Sequence, residues 1–214
     1  MKVFLIGYRS WAISAFKAVI KERKDLEFTI LQNPEKLSKI ENSVVLGAGW
    51  SWIIDQGLLD KNKIIALMHP SDLPNYAGGS PIQHQIIDGL TNSKATLFQV
   101  TKSLDGGPIL YKTDLCLKGH MQNIFENLKN CTTELFLKFL NDYPNIPKTY
   151  QKPQKIYKRI TPDDSRFLMN EISGMTTKEL YNCIRSKEDP YPNMYIQDDI
   201  GKLYIRSADF VPHQ

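Results

Sequence analysis

Cysteine is scarce in this sequence, and long apolar runs are absent. The 214 residues include three cysteines, Cys116, Cys131 and Cys183, which are widely spaced and form no Cys-x-x-Cys pair. This argues against a disulfide framework and against a zinc site, and it favours a reducing, cytoplasmic compartment. No apolar stretch approaches the roughly 20 residues of a membrane helix, and the short run at Lys2–Gly7 has no signal-peptide features. We therefore expect a cytoplasmic protein with no metal and no membrane partner.

The sequence also lacks a strong excess of charge of either sign. The 27 basic and 23 acidic residues leave a net charge of +4, whereas a nucleic-acid-binding domain more often carries a basic stripe. The densest positive stretch contains Lys148, Lys152, Lys155, Lys158 and Arg159. We expect a solvated linker there rather than a patch for phosphate or RNA, and we expect no nucleic-acid partner.

Strand and helix patterns alternate over the first two thirds of the chain. Short apolar runs predict strands at Lys2–Gly7, Leu26–Leu31, Ser43–Leu46, Lys63–Met68, Ala95–Val100 and Ile109–Leu117. Helical spacing of apolar residues predicts helices at Ser10–Arg23, with Ser10 as N-cap, and at Trp52–Leu59, Pro81–Asp88 and Met121–Leu140. This alternation predicts an α/β fold with a doubly wound, mainly parallel sheet.

The last third of the chain has a different composition. Asp142–Gln154 contains three prolines, which is typical of a linker. A helix at Thr177–Ser186 and short strands at Met194–Ile196 and Leu203–Ile205 then predict a small α+β subdomain. We therefore divide the chain into a catalytic domain, 1–147, and a linker with a small C-terminal subdomain, 148–214.

Three loops follow predicted strands at the edge where an open parallel sheet binds its ligands. The first contains Tyr8 and Arg9 and lacks a Gly-x-Gly-x-x-Gly motif, so no nicotinamide dinucleotide site is expected. Arg9 either faces solvent or meets an anionic group of a ligand. The second loop, Gly47–Trp52, carries two tryptophans that either plug the core or wall a pocket for a flat heterocycle.

The third loop, His69–Gln83, is the most informative. It is rich in proline and glycine and follows directly on a buried strand, and long ordered loops at strand ends are usually functional. His69 can take up a proton near neutral pH, although a lone histidine is more often structural. Asp105 in a later Gly-Gly turn is either a turn former or, if the sheet brings it close, the group that orients His69.

Six short motifs in these segments carry a family resemblance. Three lie in the loops: His69-Pro-Ser-x-Leu-Pro, the Gly-Gly-Ser-Pro-Ile-Gln that ends at Gln83, and Leu104-Asp-x-Gly-Pro-Ile-Leu110. Three lie in the tail: Arg159-Ile-Thr-Pro-Asp-Asp-Ser165, Leu180-Tyr-Asn-Cys-Ile-Arg185 and Asp189-Pro-Tyr-Pro192. Together they resemble the folate-dependent formyltransferases, a family that includes methionyl-tRNA, glycinamide ribonucleotide and nucleotide-sugar enzymes, and they are most similar to the nucleotide-sugar branch.

The resemblance implies a Rossmann-like formyltransferase domain in which 10-formyl-tetrahydrofolate formylates a primary amine without a metal. His69 would take the proton of the attacking amine, and Asp105 would orient His69. The implied folate-binding residues are Gly49, Trp50, Ser51, Trp52 and Asp105. The implied substrate-binding residues are Tyr8, Arg9, Ser71, Gly79, Ser80, Pro81 and Gln83.

Two positions depart from the family pattern. Leu67 stands where the family has an asparagine that polarises the formyl carbonyl, and Ala77 stands where it has an arginine. Loss of one oxyanion donor costs on the order of 3 kcal/mol, so either another group supplies that hydrogen bond or turnover is impaired. The candidate donors are Ser80, Gln83 and the backbone N–H groups of Gly78–Ser80.

We expect the acceptor to be a nucleotide-activated amino sugar of surface-polysaccharide biosynthesis. The alternatives are a catalytically impaired protein that binds folate or a nucleotide sugar, and an enzyme for another small amine such as glycinamide ribonucleotide. A tRNA acceptor is not expected, because the tRNA branch implies a further tRNA-binding domain, for which 148–214 is too short. The resemblance also implies a homodimer through Leu203–Ile205 and Phe210–Val211, unless these segments cover the subdomain's own core.

Overall fold

The alternating pattern of the first two thirds folds into one central sheet. The computed structural model describes residues 1–152 and 155–213, so Pro153 and Gln154 of the predicted linker lie outside the described residues. The strands there are β1 (Lys2–Ile6), β2 (Glu27–Leu31), β3 (Val44–Ala48), β4 (Ile64–His69), the two-residue β5 (Ala77–Gly78), β6 (Asn92–Gln99) and β7 (Ile109–Cys116). All except β5 join the sheet, in the order β2-β1-β3-β4-β6-β7.

Strand directions in this sheet put several loops at one edge. Strands β1 to β4 run parallel, and β6 is antiparallel to both of its neighbours, β4 and β7. The prediction of an α/β fold with a mainly parallel sheet is thereby confirmed. Because β1, β3 and β4 are adjacent and parallel, the loops that follow Ile6, Ala48 and His69 emerge side by side.

Helices cover both faces of the sheet. They are α1 (Ser10–Glu22), α2 (Gln56–Lys61), α3 (Pro81–Ile87) and α4 (Met121–Asp142). On one face α1 packs on α4, and the rings of Phe16 and Phe136 stack with centroids 6.0 Å apart. On the other face α2 and a 3₁₀ turn at Pro34–Lys39 contribute Leu58 and Leu37 to a second buried cluster. Side chains alternate along a strand, so His69 leaves β4 on the same face as Leu67, toward this second cluster.

Two predicted helix starts differ from the observed ones. The helix predicted at Trp52–Leu59 begins only at Gln56, because the Asp55 side chain accepts the Leu58 N–H at 2.9 Å and caps the helix there. Ser10 is the first residue of α1, and Arg9 occupies the N-cap without a side-chain hydrogen bond. The 3₁₀ turn and β5 were not predicted, since neither has enough residues to show a period.

The C-terminal third forms a small α+β unit. Its elements are β8 (Ile156–Tyr157), a 3₁₀ turn at Pro162–Ser165, β9 (Arg166–Phe167), α5 (Met169–Ser173), α6 (Thr177–Arg185), β10 (Met194–Gln197) and β11 (Lys202–Ile205). Strands β11, β10 and β9 form a separate sheet, while β8 pairs with β5 of the first part. The division of the chain at residue 147 stays a prediction.

The segments predicted to form a homodimer have mixed surroundings. Leu203 and Tyr204 are 64% and 53% exposed on the edge strand β11, whereas Ile205 packs into the subdomain's own core. Phe210 stacks on Tyr181, with ring centroids 5.6 Å apart. The homodimer therefore stays a prediction, for which Leu203, Tyr204 and the 83% exposed Val211 offer apolar surface. None of the helices within the described ranges combines the length and apolarity needed to cross a bilayer.

Buried charged side chains attach the C-terminal unit to the first part. Arg185 is 2% exposed and donates to the carbonyl oxygens of Leu117 at 2.6 Å and Gly119 at 3.1 Å. Glu188 accepts the Met121 N–H at 2.8 Å at the start of α4 and contacts His120 Nδ1 at 2.7 Å. These bonds fix the chain immediately before Pro190.

His120 gives this attachment a pH dependence. The Glu188 hydrogen bond raises the pKa of His120 above its ordinary value, burial opposes this, and Asp209 adds to it. A raised folded-state pKa means that the protonated contact stabilises the fold fully below about pH 6.5. That stabilisation is lost as pH rises through the raised pKa. We expect the melting temperature of wild type to fall more steeply above neutral pH than that of His120→Gln, with His213→Gln in the exposed tail as the control. Parallel pH curves for wild type and His120→Gln would contradict this assignment.

Candidate active site

His69 sits at the carboxyl end of β4 and is 7% exposed. Its Nε2 atom lies 3.0 Å from the carbonyl oxygen of Tyr76. Because a carbonyl oxygen only accepts hydrogen bonds, Nε2 carries a proton in this contact. In the neutral imidazole the lone pair is therefore on Nδ1, which makes Nδ1 the atom able to take up a proton.

Asp105 faces that nitrogen, as the orienting role requires. Its Oδ2 atom is 3.6 Å from His69 Nδ1, with side chains that are 15% and 9% exposed respectively. This separation exceeds a hydrogen bond, so Nδ1 is left open, while the carboxylate lies close enough to stabilise a proton that arrives there. The same Oδ2 accepts the Gly78 N–H at 2.8 Å, which fixes the carboxylate.

Asp105 and two residues near this pair have left-handed backbone although none of them is glycine. Tyr76, Ser80 and Asp105 have φ of 55°, 53° and 49°, a region that side chains seldom adopt and that is often found at functional sites. The turn at Tyr76 presents the carbonyl that binds His69. Asp105 is held from the linker side, because Gln151 donates to its carbonyl oxygen at 2.8 Å.

A cavity of about 310 Å³ opens beside His69. Of the residues named from the sequence, its walls include His69, Arg9, Gly49, Trp50, Ser51, Ser80, Pro81 and Gln83. The three loops at the carboxyl edge of the sheet and the start of α3 thus converge on one space. Asp105, which faces His69 Nδ1, lines a separate, smaller cavity of about 180 Å³.

The Gly49–Trp52 loop forms one wall of the cavity. Gly49 has φ of +59°, and an added Cβ would come within 2.9 Å of Arg9 Cβ, so only glycine fits. The Trp50 indole nitrogen is buried and has no hydrogen-bond partner among the described residues. Trp52, 41% exposed, lies edge-on to both Trp50 and Tyr8, with ring centroids at 4.7 and 4.8 Å.

Besides Asp105, four predicted site residues lie outside the cavity wall. Ser71 is fully buried and donates to the Asn75 carbonyl at 2.7 Å, so it shapes the His69–Gln83 loop. Gly79 is pressed against Arg159, where an added Cβ would come within 2.5 Å of its nitrogen. Tyr8 supports the wall through a hydrogen bond between its hydroxyl and Ser51 Oγ at 2.7 Å, and Trp52 packs behind Trp50.

The far wall comes from the C-terminal unit and was not predicted. It includes Arg159, Ile160 and the segment Pro190–Pro192. Their motifs are visible in the sequence, but it is the pairing of β8 with β5 that brings Arg159 and Ile160 to the cavity, and the bonds of Arg185 and Glu188 hold the chain just before Pro190. Arg159 therefore lines a cavity and does not belong to a simple solvated linker. Burial raises the pKa of Tyr191, and the positive charges of Arg9 and Arg159 oppose this shift.

Leu67 adds no polar group to the site. It packs with Phe98 and Val100 in a small apolar cluster under the loop. Gly47 on β3 makes room for it, because an added Cβ there would lie 2.3 Å from Leu67 Cδ2. Within the described ranges, no group of three or more histidine, cysteine, aspartate or glutamate side chains is arranged to hold a metal ion.

Comparison with known proteins gives consistent matches. The profile of a family described as Formyl transferase matches residues 17–132. The methionyl-tRNA formyltransferase of Rickettsia bellii (strain RML369-C) is 30% identical over 193 residues, which are 85% of this chain and 61% of that protein. The chain thus spans about three fifths of the length of that relative.

Solved structures extend the similarity over the whole chain. A methionyl-tRNA formyltransferase from Clostridium thermocellum superposes with a TM-score of 0.87 at 25% identity, over 99% of this chain and 94% of that one. A sugar N-formyltransferase from Shewanella sp FDAARGOS_354 shares the fold with a TM-score of 0.76 at 19% identity, over 99% of both chains.

Proposed function

Because the chain belongs to the formyl transferase family, we propose that it transfers a formyl group from 10-formyl-tetrahydrofolate to the primary amine of a nucleotide-activated amino sugar. Membership confirms the resemblance seen in the sequence motifs. The observation that carries the proposal is the His69–Asp105 pair at a cavity whose rim holds two cations, Arg9 and Arg159. We further propose that the product serves surface-polysaccharide biosynthesis.

The His69–Asp105 pair is suited to the proton transfer that amide formation requires. The neutral amine attacks the formyl carbon, and a carbon–nitrogen bond forms while the carbonyl π electrons move to oxygen. The nitrogen must then lose a proton, which His69 Nδ1 can accept because Nε2 is occupied by Tyr76. The Asp105 carboxylate stabilises the resulting imidazolium. His69 returns the proton to the folate nitrogen as the bond to the formyl carbon breaks.

The Gly49–Trp52 wall is suited to a flat folate ring. Trp50 lines the cavity with a large aromatic side chain, and the pterin offers an aromatic face that can pack on it. Gly49 and Ser51 line the cavity beside it. These features support Gly49, Trp50 and Ser51 as folate contacts, with Trp52 and Tyr8 holding the wall in place.

The rim is suited to an anionic acceptor. Among the described residues, Arg9 and Arg159 have no carboxylate within ion-pair distance, although both line the cavity. Unpaired guanidinium groups bind phosphate oxygens through two N–H donors. A diphosphate linked to an amino sugar therefore fits this rim better than an uncharged amine does.

Loss of either arginine is expected to weaken acceptor binding without slowing chemistry. We expect Arg9→Ala and Arg159→Ala each to raise KM for the nucleotide sugar about tenfold, because a hydrogen bond to a charged group contributes roughly 1.5–3 kcal/mol, while kcat stays close to wild type. Steady-state kinetics check this, with the exposed Arg206→Ala as the matched control. An unchanged KM in both variants would remove the anionic-acceptor argument.

The alternatives differ in their acceptor or in turnover. The names of the Rickettsia and Clostridium relatives favour methionyl-tRNA as an acceptor, and Leu67 favours a protein that binds its ligands without turnover. A panel assay separates them. The protein is mixed with 10-formyl-tetrahydrofolate and nucleotide-linked amino sugars, glycinamide ribonucleotide or methionyl-tRNA, and products are identified by mass. We expect a formylated nucleotide sugar. Product from methionyl-tRNA alone, or no product, would overturn the proposal.

A further inference from the structure

A buried glutamine without a hydrogen-bond partner points into the cavity. We propose that the side-chain amide of Gln83 is a catalytic residue that donates a hydrogen bond to the formyl oxygen as negative charge develops on it. The inference rests on the proposed formyl transfer and names the residue that this transfer needs on the oxygen side. His69 and Asp105 act on the amine side of the same reaction.

Gln83 differs in its hydrogen bonding from Gln85, the other glutamine of α3. Gln85 is fully buried and satisfied: its Nε2 donates to the carbonyl oxygens of Pro70 at 2.8 Å and Pro81 at 2.9 Å, and its Oε1 accepts from the Ser93 hydroxyl. Gln83 is 3% exposed and lines the cavity, yet its amide makes no hydrogen bond to any described residue. The amide is therefore open to the cavity and free to donate, so a ligand atom there can accept its hydrogen bond.

Most other donors near His69 are already engaged. The Gly78 N–H donates to Asp105 at 2.8 Å, and the Gly79 N–H donates to the Tyr157 carbonyl at 2.8 Å. Of the backbone donors expected from this loop, these two are therefore unavailable to a ligand, which leaves the Ser80 N–H. Leu67 is apolar. Ser80 keeps a free hydroxyl proton, since its Oγ accepts the Ile160 N–H at 3.0 Å.

Gln83 is better suited than Ser80 to oxyanion stabilisation. Its amide carries two N–H donors on a helix packed into the core through Ile82 and Ile86, whereas Ser80 lies at the partly exposed rim in left-handed backbone. A fixed dipole stabilises developing charge more strongly in a site that excludes water than in a solvent-exposed one. When the amine adds, the carbonyl π electrons move to oxygen and the Gln83 N–H bond to it strengthens. When the folate nitrogen leaves, the carbonyl re-forms and that bond weakens.

The matched pair Gln83→Leu and Gln85→Leu tests this assignment. We expect Gln83→Leu to lower kcat by about 10²- to 10³-fold, the loss typical of one oxyanion donor, with little change in either KM. Its melting temperature should stay close to that of wild type, because the Gln83 amide makes no hydrogen bond to the protein that the substitution would remove. Gln85→Leu should instead melt at a clearly lower temperature, because three hydrogen bonds are lost.

Each other outcome has a defined meaning. Wild-type kcat in Gln83→Leu, or a raised KM at unchanged kcat, overturns the donor role and leaves formyl transfer standing. Destabilisation of Gln83→Leu as large as that of Gln85→Leu also overturns it, by showing a structural role. A larger kcat loss in Ser80→Ala than in Gln83→Leu gives the role to Ser80. Absence of product from wild type itself overturns the proposed function together with this inference.

Discussion

Replacement of His69 by asparagine is expected to reduce the rate of formyl transfer by about a thousandfold, within the 10²- to 10⁴-fold range of general acid–base catalysis. His69 is the only group that meets both requirements of a base here among the described residues: it lines the cavity, and its Nε2 contact with the Tyr76 carbonyl leaves Nδ1 free. Without it, the tetrahedral adduct cannot lose its proton to the protein. Steady-state kcat with saturating donor and acceptor measures the loss.

The matched control for this variant is His84→Asn. His84 also contacts a backbone carbonyl, that of Lys158 at 2.8 Å, but it does not line the cavity. We expect it to keep most of the activity, and we expect His69→Asn to retain the melting temperature and both KM values of wild type. A His69→Asn protein that is folded and turns over at the wild-type rate would contradict the assignment of the base.

Replacement of Asp105 by asparagine is expected to reduce kcat about a hundredfold or more, at the lower end of the same range. Asparagine keeps the shape of the side chain, tolerates the φ of 49° better than most residues, and still accepts the Gly78 N–H. What it removes is the negative charge that faces His69 Nδ1 at 3.6 Å. The variant therefore tests the effect of the charge without moving the side chain. The quantity to compare between Asp105→Asn and wild type is kcat, with KM expected to be unchanged.

Asp105→Ala separates the structural contribution of this residue. It loses the charge and also the acceptor for the Gly78 N–H, and alanine is strained at this φ. We expect its unfolding free energy to fall by about 1–2 kcal/mol, the cost of one unsatisfied buried donor, while Asp105→Asn stays close to wild type. Full activity in Asp105→Asn would show that the carboxylate is only a turn former.

The sequence predicts the central sheet and half of the site well, for a physical reason. Strands such as β1, β3 and β4 are continuous apolar runs because both of their faces are buried. Ligand residues then follow at the carboxyl ends of adjacent strands, which brings Arg9, Gly49 and His69 together. Aspartate is a favoured N-cap residue, so Asp55 in the sequence is also consistent with the start of α2 at Gln56.

The other half of the site depends on long-range contacts without a sequence period. Strands β5 and β8 have two residues each, yet their pairing carries Arg159 to the cavity. The Tyr76 carbonyl acts through its backbone conformation, so side-chain patterns do not reveal it. Gln83 was singled out by its motif, but Gln85 was not, and only its hydrogen bonds show that Gln85 holds the fold while Gln83 lines the cavity.

The most direct test is a structure of His69→Asn with 10-formyl-tetrahydrofolate and the best nucleotide-linked amino sugar from the panel. We expect both ligands in the cavity beside position 69. The amine should lie next to the replaced side chain and Asp105, the formyl oxygen within hydrogen-bond distance of the Gln83 amide, and the phosphates on Arg9 and Arg159. An acceptor bound away from position 69, or a formyl oxygen turned away from Gln83 with both ligands ordered, would contradict these expectations.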